Sequence, residues 1–318
     1  MRPPIFLDTR DMLVLENASI RMVYMKKRLF LLVILLLFLL PGCKNHASAQ
    51  LTATTLPVYE FTQRLCEGTD ITVACLITES VSCLHNYSLQ VSHMRMLEAS
   101  DAVILSGAGL EELWEDSLAE VPVLIDASQG VTLLPAEHGH EHEDHEDSQE
   151  HDHEFDPHIW LSPANARIMA QNICAGLTAA YPEHKALFEG NLAPLIADLD
   201  ALEEYEKNSL SDLSCREIIT FHDGFSYLAA DCDLEILAAI EEESGSEASA
   251  SMLISLIELV REHNIPAIFT EMNGSTAAAE IVAAETGVKI CTLDMAMSCD
   301  SYFQAMYHNI DTLKEALK

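Results

Sequence analysis

Positive charge is scarce in this chain: its 318 residues hold 17 Lys and Arg against 51 Asp and Glu, a formal net charge of −34. A polyanion of this kind repels nucleic acid and anionic lipid surfaces and gathers cations, which excludes the nucleic-acid-binding classes. Three chemistry-bearing motifs are also missing. Cys-x-x-Cys does not occur, so the cysteines lack their usual metal-binding spacing, and neither His-Glu-x-x-His nor Gly-x-Ser-x-Gly occurs, which removes the common signatures of zinc peptidases and serine hydrolases. Nor is there an apolar run long enough to span a bilayer. The stretch from Leu29 to Leu40 is unbroken for twelve residues, about 18 Å of helix against a hydrocarbon core of roughly 30 Å.

That short run has a different use. Lys26, Lys27 and Arg28 precede it and Leu40-Pro41-Gly42-Cys43 follows, the layout of a secretory signal over residues 25–42. The small residue before Cys43 resembles a bacterial lipobox, which implies that Cys43 is lipidated and becomes the first mature residue. Residues 1–24 do not fit a signal and are expected to be an upstream extension, with the true start at Met25. The remaining cysteines, Cys66, Cys75, Cys83, Cys174, Cys215, Cys232, Cys291 and Cys299, sit mostly inside apolar segments, where a free cysteine acts as a small hydrophobe. Cys291 and Cys299 could bridge a loop, a question only geometry answers.

Nearly half the residues are apolar, and the chain beyond Cys43 is long enough for two domains. After a polar tether, 43–50, short β-branched runs alternate with helical patterns. Leu51–Thr55, Asp70–Ile77, Ala102–Ser106 and Val121–Asp126 read as strands; Val58–Cys66, Ser92–Ala99 and Leu110–Leu118 read as helices. The pattern returns after residue 214, with strands Glu217–Phe221, Leu234–Ala239, Ala267–Thr270 and Val288–Leu293 and helices Ser249–His263 and Thr276–Thr286. The expected fold class is therefore α/β: two lobes, 51–180 and 214–318, each a mostly parallel sheet flanked by helices. Ser162-Pro163 opens a helix reaching about Ala180, with proline in its first turn. Pro182 opens a long connector, 181–213, in which Pro194 is expected to kink or break the helix.

Residues 137–154 differ in kind. His138, His140, His142, His145, His151 and His153 alternate with carboxylates, six of the fourteen histidines in sixteen residues. Such a segment has no hydrophobic period and cannot build a core, while imidazole with carboxylate suits borderline divalent cations. A loose collecting loop is expected, not a rigid site.

A rigid site calls for residues at the carboxyl ends of strands, where open α/β sheets bind ligands. His85 lies in the loop after Asp70–Ile77, His222 directly follows Glu217–Phe221, Glu271 follows Ala267–Thr270, and Asp294 follows Val288–Leu293. His158, in Asp156-Pro157-His158-Ile159-Trp160, closes the His-rich loop. Each histidine alone is more often structural than ligating; their shared topological position is the signal.

His85-Asn86-Tyr87, Ser106-Gly107-Ala108-Gly109-Leu110-Glu111, Asp156-Pro157-His158-Ile159-Trp160-Leu161-Ser162-Pro163, Phe221-His222-Asp223-Gly224-Phe225 and Ile268-Phe269-Thr270-Glu271 occur in this order. The chain thereby resembles the metal-binding, zinc-type substrate-binding lipoproteins of ABC importers, the cluster A-I group. The resemblance implies two α/β lobes joined by a long backbone helix and one metal bound between them. Its ligand positions fall on His85, His158, His222 and, through Thr292-Leu293-Asp294, on Asp294. Leu84 stands where the family often has a proline or an acidic residue, so an extra carboxylate ligand is not expected there.

Three imidazoles and one carboxylate suit four-coordinate Zn²⁺, whereas Mn²⁺ prefers oxygen-rich shells. Zinc is therefore the expected substrate, with a manganese- or iron-binding member of the same family the alternative and nickel or copper open on affinity order alone. A zinc hydrolase would need a base beside the metal, for which Glu241, Glu242, Glu243 or Glu271 could serve; a surface adhesin with a structural metal would leave the His-rich loop idle. The expected protein is a non-enzymatic, monomeric lipoprotein held extracytoplasmically on the bacterial membrane through Cys43. Its expected partners are a permease and that permease's cytoplasmic ATPase. Asp156 is expected either to orient His158 or only to start a turn.

Overall fold

The structure is a computed structural model that describes residues 50–79, 84, 87–136, 154–240, 248–297 and 301–318. The signal segment, Cys43, His85, Cys83, Cys299 and the six histidines of 137–153 lie outside the described residues.

The first half builds β1 (Gln50–Ala53), α1 (Leu56–Leu65), β2 (Thr72–Cys75), α2 (Val91–Glu98), β3 (Ala102–Leu105), a 3₁₀ turn over Glu112–Trp114 leading into α3 (Glu115–Leu118), and β4 (Leu124–Asp126). α1 has its proline in the first turn, where no amide is missed, and buries Val58, Phe61, Thr62 and Leu65 on one face. Two helices follow: α4 (Pro163–Ala180), after a 3₁₀ turn over Ile159–Leu161, and α5 (Lys185–Ser209). Ser162 caps α4 by accepting the Asn165 amide at 3.2 Å. The second half runs β5 (Glu217–Thr220), α6 (Ser226–Asp231), β6 (Glu235–Ala239), α7 (Ala250–His263), β7 (Ala267–Glu271), α8 (Ala277–Thr286), β8 (Lys289–Leu293) and α9 (Tyr302–Leu317).

Both sheets are parallel, four-stranded and ordered alike: β2-β1-β3-β4 and β6-β5-β7-β8. The two-lobe α/β expectation is met. In each sheet the strand order reverses between neighbours β1 and β3, or β5 and β7, the switch point at which such sheets take ligands.

The expected long connector helix is present, and it runs through Pro194 instead of breaking there. α5 is one helix of 25 residues with Pro194 inside it. A mid-helix proline costs about 3 kcal/mol, but Phe188, Leu195, Leu199 and Leu202 are fully buried along the same helix, and each such burial contributes about 1.5–3 kcal/mol. Packing therefore outweighs the missing amide. Arg167 on α4 adds a hydrogen bond to Asp200 at 2.7 Å and an ion pair to Glu203 on α5.

The lobes are not tethered by a bare hinge. One apolar core runs from Leu51, Phe61 and Ile104 through Ile173, Phe188 and Leu202 to Tyr302, Ile310 and Leu313. A second, smaller core around Ile219, Leu256, Ile268 and Val282 lies between the second sheet and helices α7 and α8. Cys66, Cys75, Cys174, Cys215, Cys232 and Cys291 are free thiols. Among the described residues, no helix is long and apolar enough to cross a membrane.

Candidate metal centre

His158 and His222 come together. Their ring centroids lie 5.3 Å apart, nearly perpendicular at 82°, and both residues are buried. His222 stands just past β5 and Glu271 is the last residue of β7, so both occupy the switch point of the second sheet. His158 reaches them from the segment that opens α4.

Each imidazole is backed by a carboxylate. Asp156 Oδ1 lies 2.7 Å from His158 Nδ1 and also accepts the His158 amide at 2.8 Å. Burial raises the Asp156 pKa, but the hydrogen bonds from His158 and the charge of its ring outweigh that and hold the carboxyl below its ordinary range. With Nδ1 committed to Asp156, ligation by His158 has to use Nε2. Glu271 Oε2 lies 3.6 Å from His222 Nδ1, an ion-pair distance outside hydrogen-bond range. Of the two readings of Asp156, the geometry shows the orienting one.

Gly224 is the close neighbour of both rings. A Cβ there would sit 2.9 Å from His158 Nδ1, 2.8 Å from His222 Cδ2 and 2.5 Å from the Met295 methyl. The glycine in Phe221-His222-Asp223-Gly224-Phe225 is thus required by space.

Asp294 follows β8 and is fully buried. Its main chain is held on both sides by Asn309 of α9, and its Oδ1 accepts the Met297 amide at 3.2 Å. Among the described residues no group of three or more His, Cys, Asp or Glu could by itself hold a metal ion; His158 and His222 are adjacent.

His85 lies outside the described residues, but its flanks are anchored. Trp114 Nε1 donates to the Tyr87 carbonyl at 2.9 Å, and His93 Nε2 lies 3.3 Å from Glu79 Oε1. The ends of the His-rich segment are joined as well: Pro135 bridges Phe155, the Asp156 amide donates to Leu134 at 2.9 Å, and Tyr227 of α6 grips the stem by accepting from the Leu134 amide and donating to the Asp156 carbonyl. The segment therefore departs and returns two or three residues before His158.

The equivalent switch point of the first sheet holds a buried carboxylate. Buried Glu111 accepts from Thr54 Oγ1 at 2.6 Å and from the amides of Ser106 and Gly107 at 2.8 and 3.0 Å. Burial pushes its carboxyl up to about 7, against those three hydrogen bonds. Glu111 thus ties together the chain segments that leave β1 and β3 at the switch point of the first sheet.

A sequence-family model, ZnuA, described as zinc-uptake complex component A periplasmic, matches residues 51–316. The chain belongs to the ZnuA family. It is 33% identical over 310 residues to the zinc-binding lipoprotein AdcA of Streptococcus pneumoniae, a match covering 92% of this chain and 61% of that protein. It is 30% identical to the zinc-binding protein AdcA of Streptococcus pyogenes, over 85% of this chain and 56% of the relative. The chain thus spans about three-fifths of the length of these curated relatives. Among solved structures, that of ZnuA superposes with a TM-score of 0.73 at 28% identity, covering 85% of this chain and all of the other. The Zn(II)-bound ZnuA-like domain of S. pneumoniae AdcA gives 0.71 at 29% identity, covering 85% and 99%.

Sequence reasoning missed three features of this ZnuA-family site. In sequence Glu271 is a strand-end residue and a candidate base, and its place beside His222 emerges only from the fold. The steric demand on Gly224 has one local signal, a glycine between Asp223 and Phe225 beside a candidate ligand. Asn309 belongs to a C-terminal helix that carries no motif in the sequence.

Proposed function

We propose that this chain is the extracytoplasmic zinc-capture component of an ABC-type importer. The observation that carries this reading is the buried pair His158 and His222, edge-on at 5.3 Å and each backed by its own carboxylate. Imidazoles oriented in this way are zinc donors once deprotonated. The names of its relatives, zinc-binding lipoprotein and zinc-uptake component, agree with it.

In this reading His85, His158, His222 and Asp294 desolvate one Zn²⁺, and the histidines of 137–153 gather metal on a stem that ends beside His158. Cys43 carries the lipid that holds the chain to the outer face of the cell membrane. The loaded monomer docks on a permease whose ATPase drives import. No chemistry on the cargo is required: Asp156 and Glu271 are engaged with the two imidazoles rather than placed as bases for a metal-bound water.

The test combines elemental analysis of protein purified without added metal with competition between Zn²⁺ and Mn²⁺. One tightly held Zn²⁺ per chain is expected, retained when 137–153 is deleted and lost in His222→Ala. A preference for Mn²⁺, or equal loss in both variants, would overturn the assignment. Affinity should also weaken as pH falls into the range where imidazole protonates, because ligands must be deprotonated to bind; a flat profile from neutral to pH ~5 would exclude histidine ligation.

A further inference from the structure

Asp294 sits at a strand end, where main-chain direction decides where its carboxylate points. Three buried hydrogen bonds fix that direction. Asn309 Oδ1 accepts the Asp294 amide at 2.7 Å, and Asn309 Nδ2 donates to the Asp294 carbonyl at 2.7 Å. On the next residue, Trp160 Nε1 donates to the Met295 carbonyl at 2.7 Å. Asn309 and Trp160 are both almost wholly buried, so these groups have no water to exchange with, and each bond is made without competition.

The two anchors come from different parts of the chain. Asn309 belongs to α9, packed against the second sheet. Trp160 lies two residues beyond His158, against whose ring its indole packs at 5.4 Å between centroids. Its own carbonyl accepts from Tyr302 Oη at 2.9 Å, at the start of α9. The segment bearing His158 and the segment bearing Asp294 are therefore clamped to each other and to one helix. Asn309 spends both amide groups on the main chain of a single residue, and an apolar residue in its place would leave the Asp294 amide and carbonyl buried without that partner.

We propose that Asn309 and Trp160 are positioning residues for metal capture, holding Asp294 and His158 in a fixed mutual register by gripping the main chain at 294–295. The inference rests on the reading of Asp294 as a ligand. Neither residue would touch the ion; each acts by denying the Asp294 segment the freedom to turn its carboxylate away.

A double-mutant cycle tests this. Zn²⁺ affinity is measured by competition with a chromophoric chelator for Asn309→Leu, Asn309→Asp and Trp160→Phe, each in the wild-type and Asp294→Ala backgrounds; circular dichroism of the metal-free forms checks folding. Loss of outer groups that orient a ligand typically weakens metal binding about 10–100-fold. That loss is expected for Asn309→Leu in the wild-type background, with no further loss once Asp294 is alanine. Asn309→Asp, which keeps the acceptor for the Asp294 amide and loses the donor, and Trp160→Phe, which removes one bond, remain measurable if Asn309→Leu does not fold, and each should show a smaller loss that also vanishes in Asp294→Ala. Equal losses in both backgrounds would make the clamp purely structural and overturn the proposal, as would undiminished affinity in folded single variants. If Asp294→Ala alone leaves affinity unchanged, the ligand assignment itself falls, an outcome separate from failure of the clamp.

Discussion

Asp156 Oδ1 receives both the ring Nδ1 and the backbone amide of His158, at 2.7 and 2.8 Å, so one carboxylate oxygen fixes the orientation of the imidazole and its tautomer together. In Asp156→Asn an amide oxygen can still accept from Nδ1, whereas Asp156→Ala leaves that nitrogen unsupported in a buried site. Zinc affinity is therefore expected to fall in the order wild type, Asn, Ala, with Ala losing about 10–100-fold. Chelator competition reads the order directly; an alanine variant that binds as wild type does would mean that the ring is held by packing alone.

Gly224 leaves the two imidazoles their room. In Gly224→Ala the new methyl would lie within 3 Å of His158 Nδ1, His222 Cδ2 and the Met295 methyl. Overpacking of this kind costs roughly 1–3 kcal/mol. Part is relieved by moving Met295, the flexible neighbour, and the rest displaces a ring. We expect weakened zinc binding with modest loss of thermal stability, and partial recovery in the double variant Gly224→Ala, Met295→Ala. Recovery to full wild-type affinity would place the whole conflict on Met295 and leave the rings uninvolved.

Glu206 on α5 is buried, with the Cys232 thiol facing its carboxylate. Burial pushes its carboxyl up to about 8, the charge of Asp231 adding to the effect. Glu203 and Lys207 of the same helix, Cys232 at the end of α6 and Tyr302 of α9 are its other titratable neighbours. Between the ordinary value of 4.5 and about 8 the unfolded chain has released this proton and the native chain has kept it, so stability falls as pH rises through that window. Glu206→Gln imitates the protonated form and removes this contribution. Urea unfolding should find the variant gaining on wild type from pH ~5 to ~9, by up to a few kcal/mol. Parallel stability curves would show that the carboxyl is already ionised at neutral pH.

Much of this architecture was legible because two periodicities carried it. The β-branched run at Ala102–Leu105 and the Ser162-Pro163 start of α4 announce themselves locally, and alternation of such elements implies a parallel sheet whose strand ends carry the site. Elsewhere tertiary context decided. Pro194 reads as a breaker, and only the buried face of α5 explains why it is not. Glu111 and Asn309 are polar residues whose partners lie on other elements, so nothing in their neighbourhood marks them as interior. α9 follows the last candidate ligand and carries no motif, and its signal is periodicity alone: Tyr302, Met306, Ile310, Leu313 and Leu317 fall on one helical face and are buried there. His85 and the histidines of 137–153 rest on sequence and on the anchored ends of their segments.

A last relationship joins the halves of the molecule. Glu60 of α1 accepts the Tyr302 amide at 2.6 Å and the Ser301 hydroxyl at 3.2 Å, capping α9 from the opposite lobe. Beside it Phe61 packs edge-on against Tyr302 at 5.0 Å, and the Arg64 guanidinium lies 5.3 Å from the centre of the Phe303 ring. A helix N-terminus carries partial positive charge and unsatisfied amides, so a carboxylate there stabilises twice, by hydrogen bond and by dipole. Glu60→Gln keeps an acceptor and loses the charge; Glu60→Ala loses both. The expected costs are about 0.5 kcal/mol for glutamine and about 1–2 kcal/mol for alanine. Because α9 also supplies Asn309, the alanine variant should release zinc faster than wild type as well as unfold earlier. Stopped-flow transfer of zinc to a chelator separates the two effects: lowered stability with an unchanged release rate would make the Glu60 cap a stabiliser of α9 with no hold on the metal.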